Sequence, residues 1–359
     1  MHTALTTLDK KTAKELVDSY LAQYAKQRIQ DAQEIGEPYV RMWRSVEKLL
    51  VTGGKRFRPY MVLGTYHAYA PESDLTGIVH AAAAQELLHL AVLIHDDIID
   101  NDTVRYGIKN VTGQYLDFYA TYIHTTEERE HMAKSTAILA GDALLTDAHA
   151  VLRNVPVEAE RLRRAETIFT KALFDVIGGE LLDTEIVHLP KGSISTLDVA
   201  RHKTASYSFV GPLTIGAVLA GAPEKDIDLL TKLSFHLGVG FQLRDDLLGV
   251  FGEESVTGKS STSDIKEGKR TYLVEQFEAL GNEMQQSDFF SVFHRHDASE
   301  PELARAKTLL VESGAKDAVE AAIDSHRQSA EEIIEQLSLP PESRTLYHEL
   351  VAHCLTRNA

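Results

Sequence analysis

Apolar residues recur at intervals of three and four along nearly the whole chain, and strict apolar–polar alternation is rare. The first spacing is typical of one face of an α-helix, whereas alternation is typical of a β-strand. The sequence therefore predicts an all-α protein with one continuous helical body. The predicted helices lie at about 8–35, 60–70, 76–104, 131–153, 159–187, 208–221, 225–250, 271–283, 300–313, 315–337 and 342–356.

Three segments interrupt this pattern. In "GGKRFRP" (53–59), two glycines end one helix and Pro59 is expected at the first position of the next. The acidic "TTEEREHM" (125–132) is predicted to be a solvated turn. The longest stretch without periodicity is 251–270, "FGEESVTGKSSTSDIKEGKR". Since long loops in compact domains are usually functional or disordered, this segment is a candidate for function.

Composition and charge are those of an acidic globular protein. The chain has 359 residues, 43% of them hydrophobic and 25% charged, with a net charge of −16. This balance disfavours nucleic acid or an anionic membrane as a general partner. No apolar run reaches the roughly 18 residues of a membrane span. The nearest one, residues 81–94, is interrupted by Gln85, Glu86 and His89 and indicates a buried core helix.

Length and cysteine content add two expectations. The length by itself favours two domains, with one large domain as the alternative. The single cysteine, Cys354, excludes an intramolecular disulfide and suits a reducing, cytoplasmic setting. The N-terminal residues also lack the basic-then-apolar order of a secretory signal. Cys354 itself is expected to be a small buried residue rather than a reactive thiol.

An acidic cluster follows the apolar run, in "LIHDDIIDND" (93–102). On a helix, Asp96 and Asp100 lie about 40° apart around the axis. Their like charges repel by a few tenths of a kcal/mol, and a divalent cation would turn that repulsion into attraction. A solvated acidic face is the alternative, and this segment alone does not separate the two.

A second acidic pair follows a second apolar helix. In "GFQLRDD" (240–246), Gln242 lies three and four residues before Asp245 and Asp246, so that all three can share a helical face. Because burying unpaired carboxylates costs several kcal/mol, two such helices are unexpected without bound cations. Ligands that are all oxygen suit Mg²⁺, which proteins commonly share with substrate phosphates.

Basic residues stand beside the breaks in the helical pattern, where backbone N–H groups near glycines can also approach an anion. Each could be an ordinary surface base. Their association with two acidic clusters favours phosphate binding. They are Lys55, Arg56, Arg58, Arg105, Lys203, Lys259, Lys269 and Arg270.

Together these motifs resemble those of the trans-polyprenyl diphosphate synthases, and they occur in the family order. The matching segments are "GGKRFRP" (53–59), "ELLHLAVLIHDDIID" (86–100), "DTVRYG" (102–107), "GDALL" (141–145), "KTA" (203–205), "GFQLRDD" (240–246), "TGK" (257–259) and "DIKEGKRT" (264–271). The resemblance implies a homodimeric enzyme that uses Mg²⁺ to join isopentenyl diphosphate to an allylic diphosphate. It also implies the isoprenoid synthase fold, a single helical bundle around a central cavity, formed by one domain of residues 1–359. The helices at about 8–35 and 300–356 would pack on its core.

The resemblance assigns roles to individual residues. Asp96, Asp100 and Asp245 would hold two or three Mg²⁺ ions, supported by Asp97 and Asp246. These five and Lys203 are the expected catalytic residues. Isopentenyl diphosphate would be bound by Lys55, Arg58 and His89, although His89 is also readable as a core histidine. The allylic diphosphate would be bound by Arg105, Lys203, Thr204, Gln242, Lys259 and Lys269.

The chain departs from the family pattern at three positions that bear on chemistry. Tyr106 stands where a second arginine is common, which predicts weaker binding of isopentenyl diphosphate because a phenol carries no charge. Gly249 stands where a third aspartate is common, so the second cluster should supply fewer ligands. Glu180 stands where glutamine is common, and Asp183 keeps the carboxylate that follows.

The prediction of product length depends on the size of the side chains at Ala91 and Val92, which lie just before the first acidic cluster. An aromatic residue at either position tends to block chain growth in the family. Both are small here, which predicts a product of 20 carbons (geranylgeranyl diphosphate) or more. Ala91 could equally be a tight packing contact. A shorter-chain farnesyl diphosphate synthase and a non-catalytic partner subunit are the alternative functions. A terpene cyclase would not need a second diphosphate site.

Overall fold

The computed structural model describes residues 8–52, 54–252 and 263–356. The described chain is helical, apart from one short β-hairpin, and forms two compact units. The first unit comprises Met1–Phe169 and Pro212–Ala222, and the second comprises Thr170–Gly211 and Pro223–Ala359. The all-α prediction is confirmed. The single domain of residues 1–359 and the central cavity stay predictions.

The first unit is built around a helix that lies almost entirely in the core. This helix, α4, is rich in small side chains, and Ala81, Ala82, Ala83 and Ala84 are all buried. It packs most extensively against α6. The elements of this unit are α1 (Lys10–Ala32), α2 (Glu37–Thr52), α3 (Phe57–Tyr69), α4 (Val79–Ile99), β1 (Val104–Arg105), β2 (Ile108–Lys109), α5 (Val111–Tyr119), α6 (Thr126–Leu152), the beginning of α7 (Ala159–Ile186) and, after residue 211, α9 (Gly211–Ala220).

The second unit is organised around the long helix α10 (Glu224–Phe251), which packs against a π-helix and against α15 (Ala315–Ile334). A π-helix is rare and is often found at functional positions. The elements of this unit are the end of α7, α8 (Thr196–Val199), the π-helix (Ala200–Val210), α10 (Glu224–Phe251), α11 (Ser263–Glu267), α12 (Tyr272–Leu280), α13 (Glu283–Phe290), α14 (Glu300–Glu312), α15 (Ala315–Ile334), a short 3-10 helix (Pro341–Arg344) and α16 (Thr345–Leu355).

Most predicted helices agree with the structure to within a few residues, and three predictions need correction. The helix predicted to reach about residue 104 ends at Ile99 because Asn101 adopts the left-handed conformation (φ 59°). A β-hairpin follows, with Arg105 opposite Ile108. Its turn, Tyr106–Gly107, has positive φ at both positions, which is the geometry of a two-residue type I′ turn.

The second correction concerns "TTEEREHM", which is not a turn. Thr125 precedes the first residue of α6, and Glu127 and Glu128 lie in the first turn. Carboxylates stabilise this end of a helix because its exposed N–H groups carry partial positive charge. The third concerns α3, which begins at Phe57, so that Pro59 is not the first residue of the helix. Proline is still tolerated there because first-turn N–H groups have no partner within the helix.

Two smaller expectations concern membranes and Cys354. No helix in the described part of the chain is long and apolar enough to cross a membrane. Cys354 is buried in α16 and is not in a disulfide, as expected for a small core residue.

Candidate functional site

The first acidic cluster lies at the carboxyl end of α4, in the first unit. Asp96 and Asp97 belong to the last turn of the helix, and Asp100 caps it. Asp97 is buried, Asp96 is half-buried and Asp100 is exposed. The carboxyl end of a helix carries about half a negative charge of its own. The helix end and the three carboxylates therefore reinforce one another and favour a bound cation.

Arg105 on the hairpin turns back toward this cluster. Its Nε donates to Asp97 Oδ1 at 2.9 Å, its Nη2 also donates to that oxygen, and Nη2 lies 3.4 Å from Asp96 Oδ2. Burial raises the pKa of the Asp97 carboxyl, and the Arg105 guanidinium opposes that rise. Asp97 is thus held in place by Arg105.

Positive charge surrounds His89, seven residues before Asp96 on α4. The pKa of the His89 imidazole is held well below its ordinary value, chiefly by burial and then by the cations Arg58, Arg105 and Arg56. The imidazole is therefore neutral at neutral pH. Three guanidinium groups act on His89, and two of them, Arg56 and Arg105, are themselves paired with carboxylates. Lys55 precedes Arg56 in the chain and is exposed.

Arg56 was grouped from sequence with the candidate phosphate-binding bases, and the structure instead gives it a structural role. It adopts the left-handed conformation (φ 51°) and is buried. Its Nε donates to Asp18 at 2.7 Å, its Nη1 donates to Glu86 at 2.6 Å, and its Nη2 donates to the carbonyl oxygen of Leu50. This network fixes the segment that carries Lys55 and Arg58. Both acidic partners are distant in sequence, so the spacing gave no signal.

In the second unit, Lys203 and Thr204 lie on the π-helix. Lys203 Nζ donates to Asp183 Oδ2 at 2.6 Å and lies 3.0 Å from Glu180 Oε2. Thr204 Oγ1 donates to Gln242 Oε1 at 2.6 Å. The structure thus joins the "KTA" segment to α7 on one side and to α10 on the other, through residues that the sequence had singled out.

The second acidic pair continues this hydrogen-bond chain. Gln242 Nε2 donates to Asp246 Oδ1 at 2.9 Å. Asp246 is buried, whereas Asp245 is exposed. Burial raises the pKa of the Asp246 carboxyl to about 7, the Gln242 amide opposes the rise, and Asp245 and Asp264 add to it. The two aspartates therefore differ: Asp245 is accessible to a cation, and Asp246 is held behind it by Gln242.

This raised pKa gives a pH-dependent prediction for the metal-free protein. Aspartate titrates near 3.8 in the unfolded chain and near 7 at position 246 in the fold. The folded state therefore binds this proton more tightly, and the group destabilises the fold increasingly as pH rises from about 4 to about 7. Asp246→Asn removes the charge. In EDTA, we expect its Tm to exceed that of the wild type at pH 8 and the difference to shrink at pH 5.

The control for this experiment is Asp324→Asn, which alters an exposed aspartate of α15 that pairs with Arg327. Thermal unfolding followed by circular dichroism measures all three proteins at both pH values. A Tm difference between Asp246→Asn and the wild type that is the same at pH 5 and pH 8 would contradict the prediction.

The space next to Gly249 is occupied by Asp264. A Cβ atom added at Gly249 would overlap the Asp264 carboxylate. A third aspartate at position 249 would therefore require that carboxylate to move. Lys269 Nζ lies 3.5 Å from Asp264 Oδ1 and 3.2 Å from Glu267 Oε2. Sequence reasoning did not single out Asp264 itself, and Lys259 lies outside the described residues.

The donor chemistry of each acidic cluster fits Mg²⁺, because both offer carboxylate oxygens and neither offers a thiolate. Among the residues that the structure describes, no group of three or more His, Cys, Asp or Glu side chains is arranged to hold a metal alone. Magnesium usually takes one or two carboxylates, with substrate phosphates and water completing its shell. Each cluster therefore suits a magnesium diphosphate better than a free ion.

Comparison with known proteins agrees with this chemistry. The sequence model of the polyprenyl synthetase family matches residues 41–310. A geranylgeranyl pyrophosphate synthase of Geoglobus acetivorans is 31% identical over 88% of this chain and 91% of its own length. A farnesyl diphosphate synthase of Bacillus subtilis is 35% identical over 62% of this chain and 71% of its own.

Similarity to solved structures extends over nearly the full length of the chain. One such structure is the geranylgeranyl pyrophosphate synthase of Corynebacterium glutamicum in complex with isoprenyl diphosphate and magnesium, with a TM-score of 0.89 and 30% identity. The alignment covers 98% of this chain and all of that one. The family match spans well over half of the sequence, and the chain therefore belongs to the polyprenyl synthetase family of trans-prenyltransferases.

Proposed function

We propose that this protein is a Mg²⁺-dependent prenyltransferase that joins isopentenyl diphosphate to an allylic diphosphate and makes a product of 20 carbons or more. The observation that carries the proposal is the charge arrangement along α4. Three arginines act on the His89 side chain, and carboxylates lie about 10 Å further along the helix axis, seven residues at 1.5 Å each. One diphosphate suits the cations directly, and the other suits the carboxylates through a metal. A terpene cyclase would need only the second.

In this proposal, Asp96 and Asp100 of the first unit and Asp245 of the second are the magnesium ligands, for the two or three Mg²⁺ ions typical of the family. Magnesium held by these carboxylates would neutralise charge on the allylic diphosphate. Asp97 stays in position because Arg105 binds it, and Asp246 because Gln242 binds it. These roles are supported by family membership and by the carboxylate chemistry of each cluster.

Basic and polar side chains would then bind the two substrates. Lys55, Arg58 and His89 hold isopentenyl diphosphate, with the neutral His89 donating one N–H. The allylic diphosphate is bound by a larger set. Its members are Arg105, Lys203, Thr204, Gln242, Lys259 and Lys269.

The reaction needs no protein nucleophile. As negative charge develops on the departing pyrophosphate, the fixed cations around it stabilise that charge. The allylic C–O bond breaks and leaves a carbocation, which the double bond of isopentenyl diphosphate attacks to form the new C–C bond. Loss of a proton to the released pyrophosphate completes the addition.

Product length gives a prediction that separates Val92 from Ala91. Val92 is half-buried, whereas Ala91 has 0% exposed surface. We expect Val92→Phe to shorten the main product by at least one five-carbon unit while the protein keeps its Tm. Ala91→Phe should instead lower the Tm, because added volume in a packed core typically costs about 1–3 kcal/mol. Chromatography of the dephosphorylated products measures the first effect, and thermal unfolding measures the second. Unchanged product from Val92→Phe would remove this residue from the proposal.

We also propose a homodimer, supported by an apolar stripe on α7. Phe174, Ile177 and Leu181 follow helical spacing and are 72%, 59% and 57% exposed. Exposed apolar patches often mark protein interfaces. Ile177→Glu is therefore expected to convert a dimer into a monomer, as measured by light scattering coupled to size exclusion. Lys11→Glu, which alters an exposed residue of α1, is the control for added charge. A dimer that survives Ile177→Glu would exclude this stripe as the interface.

A cytoplasmic location completes the proposal, because the buried single cysteine suits a reducing compartment. The test of the function is a product assay with purified protein, Mg²⁺, isopentenyl diphosphate and, in turn, C5, C10 and C15 allylic diphosphates. We expect products of at least 20 carbons, abolished by EDTA. A stop at 15 carbons would indicate a farnesyl diphosphate synthase. Bound substrates without elongation would indicate a non-catalytic partner subunit.

A further inference from the structure

Lys203 is shared between two carboxylates of α7. Its Nζ lies 3.1 Å from Glu180 Oε1, 3.0 Å from Glu180 Oε2 and 2.6 Å from Asp183 Oδ2. Glu180 and Asp183 are three residues apart, so that both side chains leave the same face of the helix. The three groups together carry a net charge of −1 at neutral pH, although Lys203 is expected to bind an anion.

The backbone holds this arrangement in place. A Cβ atom at Gly179 would overlap the backbone nitrogen of Lys203, so α7 and the π-helix approach each other as closely as two backbones can. The Glu180 and Lys203 side chains are 16% and 26% exposed. Charges shielded to this extent interact more strongly than a pair at the open surface. Glu180 therefore acts on Lys203 at short range from a fixed position.

From this geometry we propose that Glu180 sets the affinity for the allylic diphosphate by competing with it for Lys203. The inference rests on the proposed function, in which Lys203 binds that diphosphate. A glutamine at position 180 could still accept a hydrogen bond from Lys203, but it would carry no charge. Lys203 would then form an ion pair with one carboxylate instead of two. An incoming diphosphate would meet one negative charge fewer.

Glu180→Gln tests this inference by kinetics and by binding. We expect the KM for geranyl diphosphate to fall about three- to tenfold, the range for removing one like charge from a partly solvated site. The KM for isopentenyl diphosphate should stay within twofold, because the proposed function assigns Lys203 to the allylic diphosphate and not to isopentenyl diphosphate. Calorimetry with inorganic pyrophosphate and Mg²⁺ should show affinity rising by a similar factor.

Asp175→Asn is the matched control. Asp175 lies five residues earlier on α7, where its Oδ2 accepts from Lys171 Nζ at 2.5 Å and its Oδ1 lies 3.7 Å from His202 Nδ1. The control removes a carboxylate of α7 that lies near the π-helix, and it leaves Lys203, Glu180 and Asp183 unchanged. Its KM values and pyrophosphate affinity should equal those of the wild type. Thermal unfolding verifies that both variants are folded.

The outcomes separate the inference from the proposed function. If the wild type elongates chains but Glu180→Gln leaves both the geranyl diphosphate KM and pyrophosphate binding unchanged, the inference is wrong. Equal changes in the two KM values would also overturn it, because they would indicate a general structural effect. If the wild type fails to elongate while Glu180→Gln binds pyrophosphate more tightly, the proposed function fails and the competition for Lys203 stands.

Discussion

Asp96→Asn is expected to lower kcat/KM for chain elongation by at least about a thousandfold, the scale on which enzymes lose rate when charge stabilisation of the transition state is removed. Asparagine keeps the shape of the side chain and removes its charge. Arg105 Nη2, which lies 3.4 Å from Asp96 Oδ2, would then face a neutral amide instead of a carboxylate. We also expect the Mg²⁺ concentration that gives half-maximal activity to rise.

The measurement is incorporation of labelled isopentenyl diphosphate at several Mg²⁺ concentrations. Asp31→Asn provides the control, because Asp31 lies on the exposed face of α1, where it pairs with Gln27 and Arg28 of the same helix. We expect that variant to stay within twofold of the wild type. If Asp96→Asn kept more than a tenth of wild-type activity, Asp96 would not be a metal ligand.

The helices could be predicted from sequence because their signal is periodic and local. The apolar spacing of α7 and α10 predicted both elements to within one residue at each end. The hairpin at 104–109 could not be predicted in that way, since two-residue strands are too short to show alternation. Its turn uses Tyr106 at positive φ, where a glycine or asparagine would have been the recognisable signal.

The candidate site also has a part that could be predicted from sequence and a part that could not. Motif residues such as Asp96 and Lys203 were recognisable because family members carry them at fixed spacings. The pairings that these residues make were not, because those contacts depend on packing between distant segments. Glu86 reaches Arg56 from thirty residues away, and Glu180 reaches Lys203 from twenty-three. The sequence thus identified the candidate ligands, and the structure adds the side chains that restrain them.

The second large effect concerns stability and comes from the buried pair of Arg56 and Glu86. Breaking a buried ion pair by removing one partner typically costs about 3–5 kcal/mol, because the remaining charge stays buried. Glu86→Ala should lie near the lower end of that range, since Asp18 still accepts from Arg56 at 2.7 Å. Urea unfolding, with the free energy extrapolated to water, measures the loss.

Two further variants give this prediction its contrast. Glu37→Ala breaks the exposed pair with Arg44 (3.6 Å) and should cost less than about 1 kcal/mol, as surface pairs do. Replacing both buried partners, Arg56→Met with Glu86→Leu, should recover much of the stability lost in Glu86→Ala, because no buried charge is left unpaired. The double variant should nevertheless bind isopentenyl diphosphate poorly, because the segment carrying Lys55 and Arg58 has lost its anchor. Glu86→Ala with wild-type stability would show that the network is not what holds that segment.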